Sequence, residues 1–427
     1  MKGKNIVRLT AAVMLIIMII TSLSSCVLDF EFYSDLFDYL ENQQNGGGEN
    51  NGDNNQNGDN GDSGNNIPNL GGSVGSDNYG DFYPGSGNES LENLSPKVRS
   101  LLSTVTIISS FAGSVGAGSG VIYKVDKNTG DAYVITNYHV VYSANYGVAD
   151  SIKLYLYGMH LESYAVKATL LGGSVTYDIA VLKVKGSEVI KNSYATEAAI
   201  GSSENVRVFD RVYTVGNSEG MGISATEGIV SVESENLDIN GADGSLVSLR
   251  VMRVDAAINH GNSGGGIYDE EGRLVGIAVA KETGADIDNM GYAIPADLAI
   301  KVANNVIDTC DGLKVKKVQK ALMGITITSY VSGLQLTPDG SHVYEVNLVE
   351  VVEISKGSLA DGKIKVGDII NSITVDGKTT SVCRVHHVTD AMLDARLGST
   401  VVLNINRGGE KLNVTFTVGQ SDITTVN

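Results

Sequence analysis

The chain reads as a mainly β protein, a barrel or sandwich, with room in its 427 residues for two or three domains. Two observations predict this. Short runs rich in Val, Ile and Thr recur between clusters of Gly, Asn and Asp from residue 105 onward, with no long helical period among them, the pattern of half-buried strands joined by turns. The composition agrees: there is no Trp and little Phe, but there are 19 Tyr, and 42% of residues are hydrophobic, enough for real cores and weighted toward strand formers.

Residues 1–25 read as a secretion signal. Lys2, Lys4 and Arg8 precede an apolar run from Leu9 to Leu23, shorter than the ~20 residues that span a bilayer and suited to a signal h-region. The run ends in Leu23-Ser-Ser-Cys26, which resembles the lipobox of bacterial lipoproteins. That resemblance implies lipid attachment at Cys26 and a membrane anchor, since each buried CH₂ contributes about 0.8 kcal/mol. We expect the outer face of the cytoplasmic membrane as the location.

Residues 26–93 are expected to be a disordered tether. Residues 41–90 are dominated by Asn, Gly, Asp and Gln with almost no aliphatics, and such a segment cannot bury enough apolar surface to offset its chain entropy. About 50 flexible residues give a root-mean-square span of roughly 35–42 Å. Between 27 and 95 there are 13 acidic residues and no Lys or Arg, within a net charge of −18. No basic patch stands out, which argues against nucleic acid as a partner.

Strands are expected at 105–109, 120–125, 132–136, 152–157, 165–171, 179–184, 211–215, 228–232, 248–254, 274–280 and 291–294. A capped helix is expected at 95–103. Residues 296–307 carry apolar positions at helical spacing and should form a helix that closes the unit.

Three residues in this stretch point to chemistry. Ser263 lies in Asp255-Ala-Ala-Ile-Asn-His-Gly-Asn-Ser-Gly-Gly-Gly266, where glycines let backbone N–H groups turn toward one point. His139 follows an expected strand, and Asp178 precedes another. The order His, Asp, Ser is the chymotrypsin-type order. The roles it suggests are a nucleophile, an imidazole that takes and returns its proton, and a buried carboxylate that holds the imidazole.

The motifs Gly118-Ser-Gly-Val-Ile, Thr136-Asn-Tyr-His-Val-Val, Tyr177-Asp-Ile-Ala-Val-Leu-Lys-Val, Val215-Gly-Asn, Thr226-Glu-Gly-Ile-Val-Ser, Asp255–Gly265 and Met290-Gly-Tyr-Ala-Ile-Pro run in order over about 200 residues. Together they resemble the HtrA (Deg-type) serine proteases. The resemblance implies a chymotrypsin-like double β-barrel over residues 94–308, with His139 as base, Asp178 as orienter and Ser263 as nucleophile. It implies an oxyanion hole from the N–H groups of Gly261, Asn262 and Ser263. It also implies an S1 pocket around Ile277, Ala278, Val279 and Ala280 that takes small aliphatic side chains. The family commonly has proline where His260 stands and often where Gly266 stands, so this loop is expected to be looser here. The loop between Tyr123 and Tyr133 is short, whereas members that form hexameric cages carry a long insertion there, so a homotrimer at most is expected.

Residues 309–319 read as a linker. Residues 320–420 resemble one α/β PDZ domain, through Ala321-Leu-Met-Gly-Ile-Thr, Gly357-Ser-Leu-Ala-Asp-Gly-Lys-Ile-Lys-Val-Gly-Asp-Ile-Ile and Gly398-Ser-Thr-Val-Val-Leu-Asn-Ile-Asn-Arg-Gly-Gly, with a small insertion at 332–345. That resemblance implies capture of C-terminal peptides, with Leu322, Met323, Gly324 and Ile325 as the carboxylate-binding loop. It puts the groove helix at about 388–395, with His386 and His387 near its start. No cofactor is expected. No metal is expected at this histidine pair, because no Cys or carboxylate stands at ligand spacing. Cys310 and Cys383 could pair, but nothing in the sequence supports a disulfide.

The expected function is thus a membrane-tethered serine endopeptidase that cleaves misfolded exported proteins. The alternatives are a chaperone or adaptor with little hydrolysis and, less in keeping with the triad order, an esterase.

Overall fold

The computed structural model describes residues 94–280, 290–310 and 316–426. The signal, Cys26 and nearly all of the expected tether lie outside the described residues. Helix α1 (Pro96–Leu102) opens the fold, capped by the Ser95 side chain, which accepts from the Val98 N–H at 3.3 Å.

Strands β1 (Thr104–Phe111), β2 (Ser114–Asp126) and β3 (Asp131–Thr136) follow. After them come a single helical turn, α2 (Tyr138–Val141), and a small side ladder of β4 (Tyr142–Ser143) and β5 (Gly147–Val148). Strands β6 (Ser151–Leu156), β7 (Val166–Ser174) and β8 (Ile179–Val184) complete a closed barrel in the order β1-β2-β3-β8-β7-β6. The second barrel uses β9 (Arg211–Gly216), β10 (Ser224–Asn240), β11 (Leu246–Val254), β12 (Gly266–Tyr268), β13 (Leu274–Val279) and β14 (Gly291–Pro295). Its closed order, read from β9, is β9-β10-β11-β14-β13-β12. The two barrels therefore share one topology, strand for strand. Closure leaves no sheet edge unpaired in either.

Each run expected as a strand lies in a strand, because alternating β-branched side chains fill the barrel interiors. Ile107, Ile122, Leu154 and Leu182 fill the first, and Val212, Val230, Met252 and Ala293 fill the second. A third cluster joins the two barrels to the helix α3 (Ala296–Cys310), through Val121, Ile135, Tyr268, Ile277, Val302 and Val306. Fully burying one such aliphatic side chain contributes roughly 1.5–3 kcal/mol. This junction therefore holds the barrels in register, and the site lies between them.

The C-terminal module begins with β15 (Val318–Ala321), which pairs with the last strand, β22 (Ile423–Val426). Val318 and Val426 pack into the cluster between the barrels and α3. The latter half of the expected linker is thus ordered and docked, and the final residues return to meet it. Between these strands lie β16 (Ile325–Leu336), β17 (Val343–Ile354), β18 (Ile369–Val375), β19 (Lys378–Ser381), helix α4 (Val385–Ala391), β20 (Thr400–Arg407) and β21 (Glu410–Thr417). The sheet order is β16-β17-β18-β20-β21, with β19 paired to β18. The expected insertion is the far end of the long β16–β17 hairpin. The expected groove helix forms a few residues early, so that His386 and His387 fall inside its first turn. Cys310 and Cys383 are free thiols.

Candidate active site

His139 and Asp178 are clamped together by backbone as well as side chain. The carbonyl of Asp178 accepts from the Tyr138 N–H at 3.1 Å and from Asn137 Nδ2 at 3.0 Å. Its carboxylate Oδ1 accepts from the His139 N–H at 3.1 Å, and Oδ2 lies 2.7 Å from His139 Nδ1. The two side chains are 7% and 2% exposed. Water therefore competes little for the pair, and the acid fixes both the ring orientation and the tautomer with Nδ1–H toward itself. Asp178 adopts φ +48°, a left-handed conformation that Asp tolerates better than most residues. That turn delivers its carbonyl to Asn137 and Tyr138 and its carboxylate to His139.

Ser263 reaches the same cleft from the second barrel. Its carbonyl accepts from the Ser119 N–H at 2.8 Å, a direct backbone link to β2 of the first barrel. Gly264 allows this approach. At φ +82°, a Cβ there would stand 2.2 Å from both the Ser119 carbonyl and Thr136 Oγ1. Thr136 Oγ1 itself donates to the Ser119 carbonyl at 2.7 Å. Ser263 Oγ accepts from the Ala280 N–H at 3.1 Å and lies 3.3 Å from the Ala280 carbonyl. The hydroxyl of Ser263 is thus turned toward Ala280. Loose catalytic contacts of this kind are common without substrate and tighten when it binds.

The loop before Ser263 presents donors. Glu219 N–H donates to the His260 carbonyl at 2.8 Å. In a trans peptide the N–H points opposite to the carbonyl, so the Gly261 N–H faces away from Glu219. Among the described residues, the N–H groups of Gly261 and Ser263 enter no hydrogen bond, whereas that of Asn262 donates to Asn259 O at 3.1 Å. Of the three expected oxyanion donors, two are free and the middle one is committed to the turn.

A residue that the sequence did not single out holds this loop in place. Ser119 Oγ accepts from the Asn217 N–H at 2.8 Å and donates to the Gly261 carbonyl at 2.7 Å. Its place in Gly118-Ser-Gly was the available signal.

Of the residues expected to line S1, Ala280 touches Ser263. The backbone of Ala278 pairs with Gly264 and Gly265 at 2.9 and 2.8 Å. The side chains of Ile277 and Val279 lie in the core between the barrels and α3, and that of Ala278 lies inside the second barrel. In the C-terminal module, the Leu322 N–H is used by the Asp422 carbonyl at 2.7 Å, and Met323 is buried in the module core. Gly324 turns at φ +72°, and Ile325 opens β16 at the sheet edge. The N–H groups of Met323 and Gly324 enter no hydrogen bond among the described residues. His386 and His387 both face Glu204 of the barrel unit.

Residues 118–277 match the family model described as a trypsin-like peptidase domain. The chain is 31% identical over 317 residues to a protein of Bacillus subtilis named serine protease Do-like HtrA, across 72% of this chain and 64% of that one. It is 30% identical over 322 residues to the protein of the same name from Lactococcus lactis subsp. cremoris, across 72% of each. Among solved structures, an HtrA-type protease, AlgW, with a tripeptide superposes with a TM-score of 0.51 at 25% identity, covering 76% of this chain and 96% of that one.

Proposed function

The chain belongs to the HtrA family of serine proteases, and from that premise we propose a membrane-tethered endopeptidase of extracytoplasmic protein quality control that uses His139, Asp178 and Ser263. The observation that carries this reading is the buried 2.7 Å contact between Asp178 and His139, on a turn that faces the Ser263 loop. In the proposed reaction Ser263 Oγ rotates from Ala280 to His139 Nε2 and attacks the scissile carbonyl. His139 takes the proton and Asp178 stabilises the imidazolium. The Gly261 and Ser263 N–H groups receive the oxyanion. His139 then protonates the leaving amine, and water hydrolyses the acyl-enzyme by the same steps. Such donors are typically worth about 3–4 kcal/mol in the transition state.

The C-terminal module is, on this reading, a PDZ domain. An incoming peptide would add to the open edge of β16, its carboxylate meeting the Met323 and Gly324 N–H groups. Cys26 would carry the lipid, on the outer face of the cytoplasmic membrane, and the assembly would be a trimer at most. The substrates would be unfolded exported proteins.

The test is casein degradation and fluorophosphonate labelling by the membrane-extracted chain and its Ser263→Ala variant. The wild type should degrade and label. The variant should lose orders of magnitude in rate. Equal activity of the two, or a wild type that never labels, would leave a chaperone or adaptor as the better reading. Cys26→Ala should release the protein from membranes.

A further inference from the structure

Glu204 lies in a single helical turn, Ser203–Asn205, ahead of β9. Its backbone N–H donates to Asp297 Oδ2 at 3.2 Å, and the same oxygen accepts from the hydroxyls of Ser202 and Ser203 at 3.0 and 2.7 Å. The turn is therefore anchored to the start of α3. Its carboxylate reaches across the seam to α4 of the C-terminal module. There Oε2 lies 2.9 Å from His387 Nε2, and Oε1 lies 3.4 Å from His386 Nε2. All three ligand atoms lie within 4.8 Å of one another. The imidazoles meet edge to face with centroids 4.6 Å apart, and the side chains are 14% and 11% exposed. The cluster opens into a seam cavity of about 340 Å³.

We propose that Glu204, His386 and His387 form a zinc site that fastens the C-terminal module to the second barrel, with water as the fourth ligand. Two imidazole nitrogens and one carboxylate make a donor set suited to zinc rather than to calcium or magnesium. Ligands about 2.05 Å from a tetrahedral zinc stand about 3.3 Å apart, close to the spacings already present. Two of the three spacings, 2.9 and 3.4 Å, are near this value, and the third is within 4.8 Å.

The surroundings fit this use. Two cations beside the cluster are matched to other acids: Arg384 to Glu233 at 2.8 Å, and Arg250 to Asp390; a third, Arg207, donates to the Glu204 carbonyl at 2.8 Å. Burial alone would raise the Glu204 carboxyl, but hydrogen bonds from His386 and His387 more than reverse this and hold it ionised; burial lowers His387, but Cys383 and Glu204 outweigh it and push it up to about 9, so zinc must displace a proton there. His387 Nδ1 accepts from the Cys383 N–H at 3.2 Å and lies 3.7 Å from Cys383 Sγ. When zinc takes Nε2, the proton there is released or moves to Nδ1. Nδ1–H then gives up the bond from the Cys383 N–H and donates to Sγ as an outer-shell partner. The expectation of no metal rested on the lack of a nearby carboxylate, and the fold supplies one from 182 residues away.

The test uses the full chain carrying Ser263→Ala to prevent autolysis, stripped with chelator and titrated with zinc alone in a calorimeter. The expected result is one equivalent bound, at least about tenfold weaker in Glu204→Gln and in His386→Ala/His387→Ala, and unchanged in Glu233→Gln at the same seam. Glu204→Gln is near-isosteric, which guards against a folding artefact. Hydrogen exchange over residues 385–391 should slow with zinc in the parent chain and not in Glu204→Gln. No binding at millimolar zinc, or equal binding by all four chains, would overturn the site.

Discussion

Gly266 stands where the family often carries proline, and the structure gives the glycine a reason of its own. An added Cβ would lie 2.3, 2.5 and 2.6 Å from Tyr268 Cε2, Cζ and the hydroxyl oxygen. Ordinary carbon contacts lie at about 3.5–4.0 Å, so in Gly266→Ala the ring must retreat by more than about 1 Å. It has little room to do so. Tyr268 is 1% exposed in the junction of the two barrels, and its hydroxyl meets Ser103 Oγ at 3.2 Å and Thr104 Oγ1 at 3.4 Å. Overpacking of this kind costs about 1–3 kcal/mol, and losing the hydroxyl contacts adds about 1 kcal/mol. A total of about 2–4 kcal/mol lowers Tm by roughly 5–15 °C in a unit of this size. The assay is calorimetry of Gly266→Ala in a Ser263→Ala background, repeated in a Tyr268→Ala background. In the second background the added methyl should cost less than about 1 kcal/mol, because the atoms it strikes are gone. An equal drop in both backgrounds, or a drop under about 1 °C in the first, would refute the steric argument. The glycine would then be a source of looseness, as the missing proline suggested.

Two further outcomes follow from the geometry. Ser119→Ala removes the link between the Asn217 N–H and the Gly261 carbonyl and leaves both buried groups short of a partner, so kcat should fall about 5- to 150-fold for the corresponding 1–3 kcal/mol; a rate within twofold of the parent, measured on a peptide substrate, would show that the loop holds its shape without it. In the C-terminal module, burial pushes the Asp368 carboxyl up, but Arg407 at 2.7 Å through both Nε and a terminal nitrogen, with the Lys365 N–H at 2.8 Å, holds it below the usual range. Its folded pKa lies below its unfolded one, so the stabilisation is complete above about pH 4 and is lost as pH falls through the folded value. Thermal melts in acid should show this loss, and Arg407→Ala should flatten it; an unchanged acid slope in that variant would exclude the pair as the cause.

The barrel strands were legible because most are short apolar, β-branched runs bounded by turn residues; β11 alternates, whereas β8, β13 and β14 are buried on both faces. Strand β12 was not, since its three residues sit inside a glycine-rich loop and its pairing to β9 and β13 is a tertiary fact. The pairing of His139 with Asp178 was readable from order and local motif. The commitment of the Asn262 N–H to its own turn was not, because peptide-plane orientation leaves no mark on residue identity. The pairing of β15 with β22 joins stretches about 100 residues apart, and Glu204 meets His387 across 183. In both cases at least one partner is unremarkable in its local sequence, as Glu204 is, and only chain topology brings the partners together.

The seam between the barrels and the C-terminal module combines two kinds of contact that do different work. Leu393 is fully buried in the cluster around α3, and its carbonyl accepts from Asn305 Nδ2 at 2.9 Å; these contacts supply adhesion. The charged contacts supply register, because desolvating an ion pair offsets most of its attraction while a misplaced partner is strongly penalised. Most of the acids here meet strong cations: Asp390 meets Arg250, Glu233 meets Arg384, and Asp394 meets Lys301. Glu204 meets two imidazoles instead. A guanidinium in their place would give a permanent, bidentate pair. Two histidines give a weaker one and bring two nitrogens, each able to present a lone pair, to the same carboxylate. For a cation held between two units, that substitution provides the ligands.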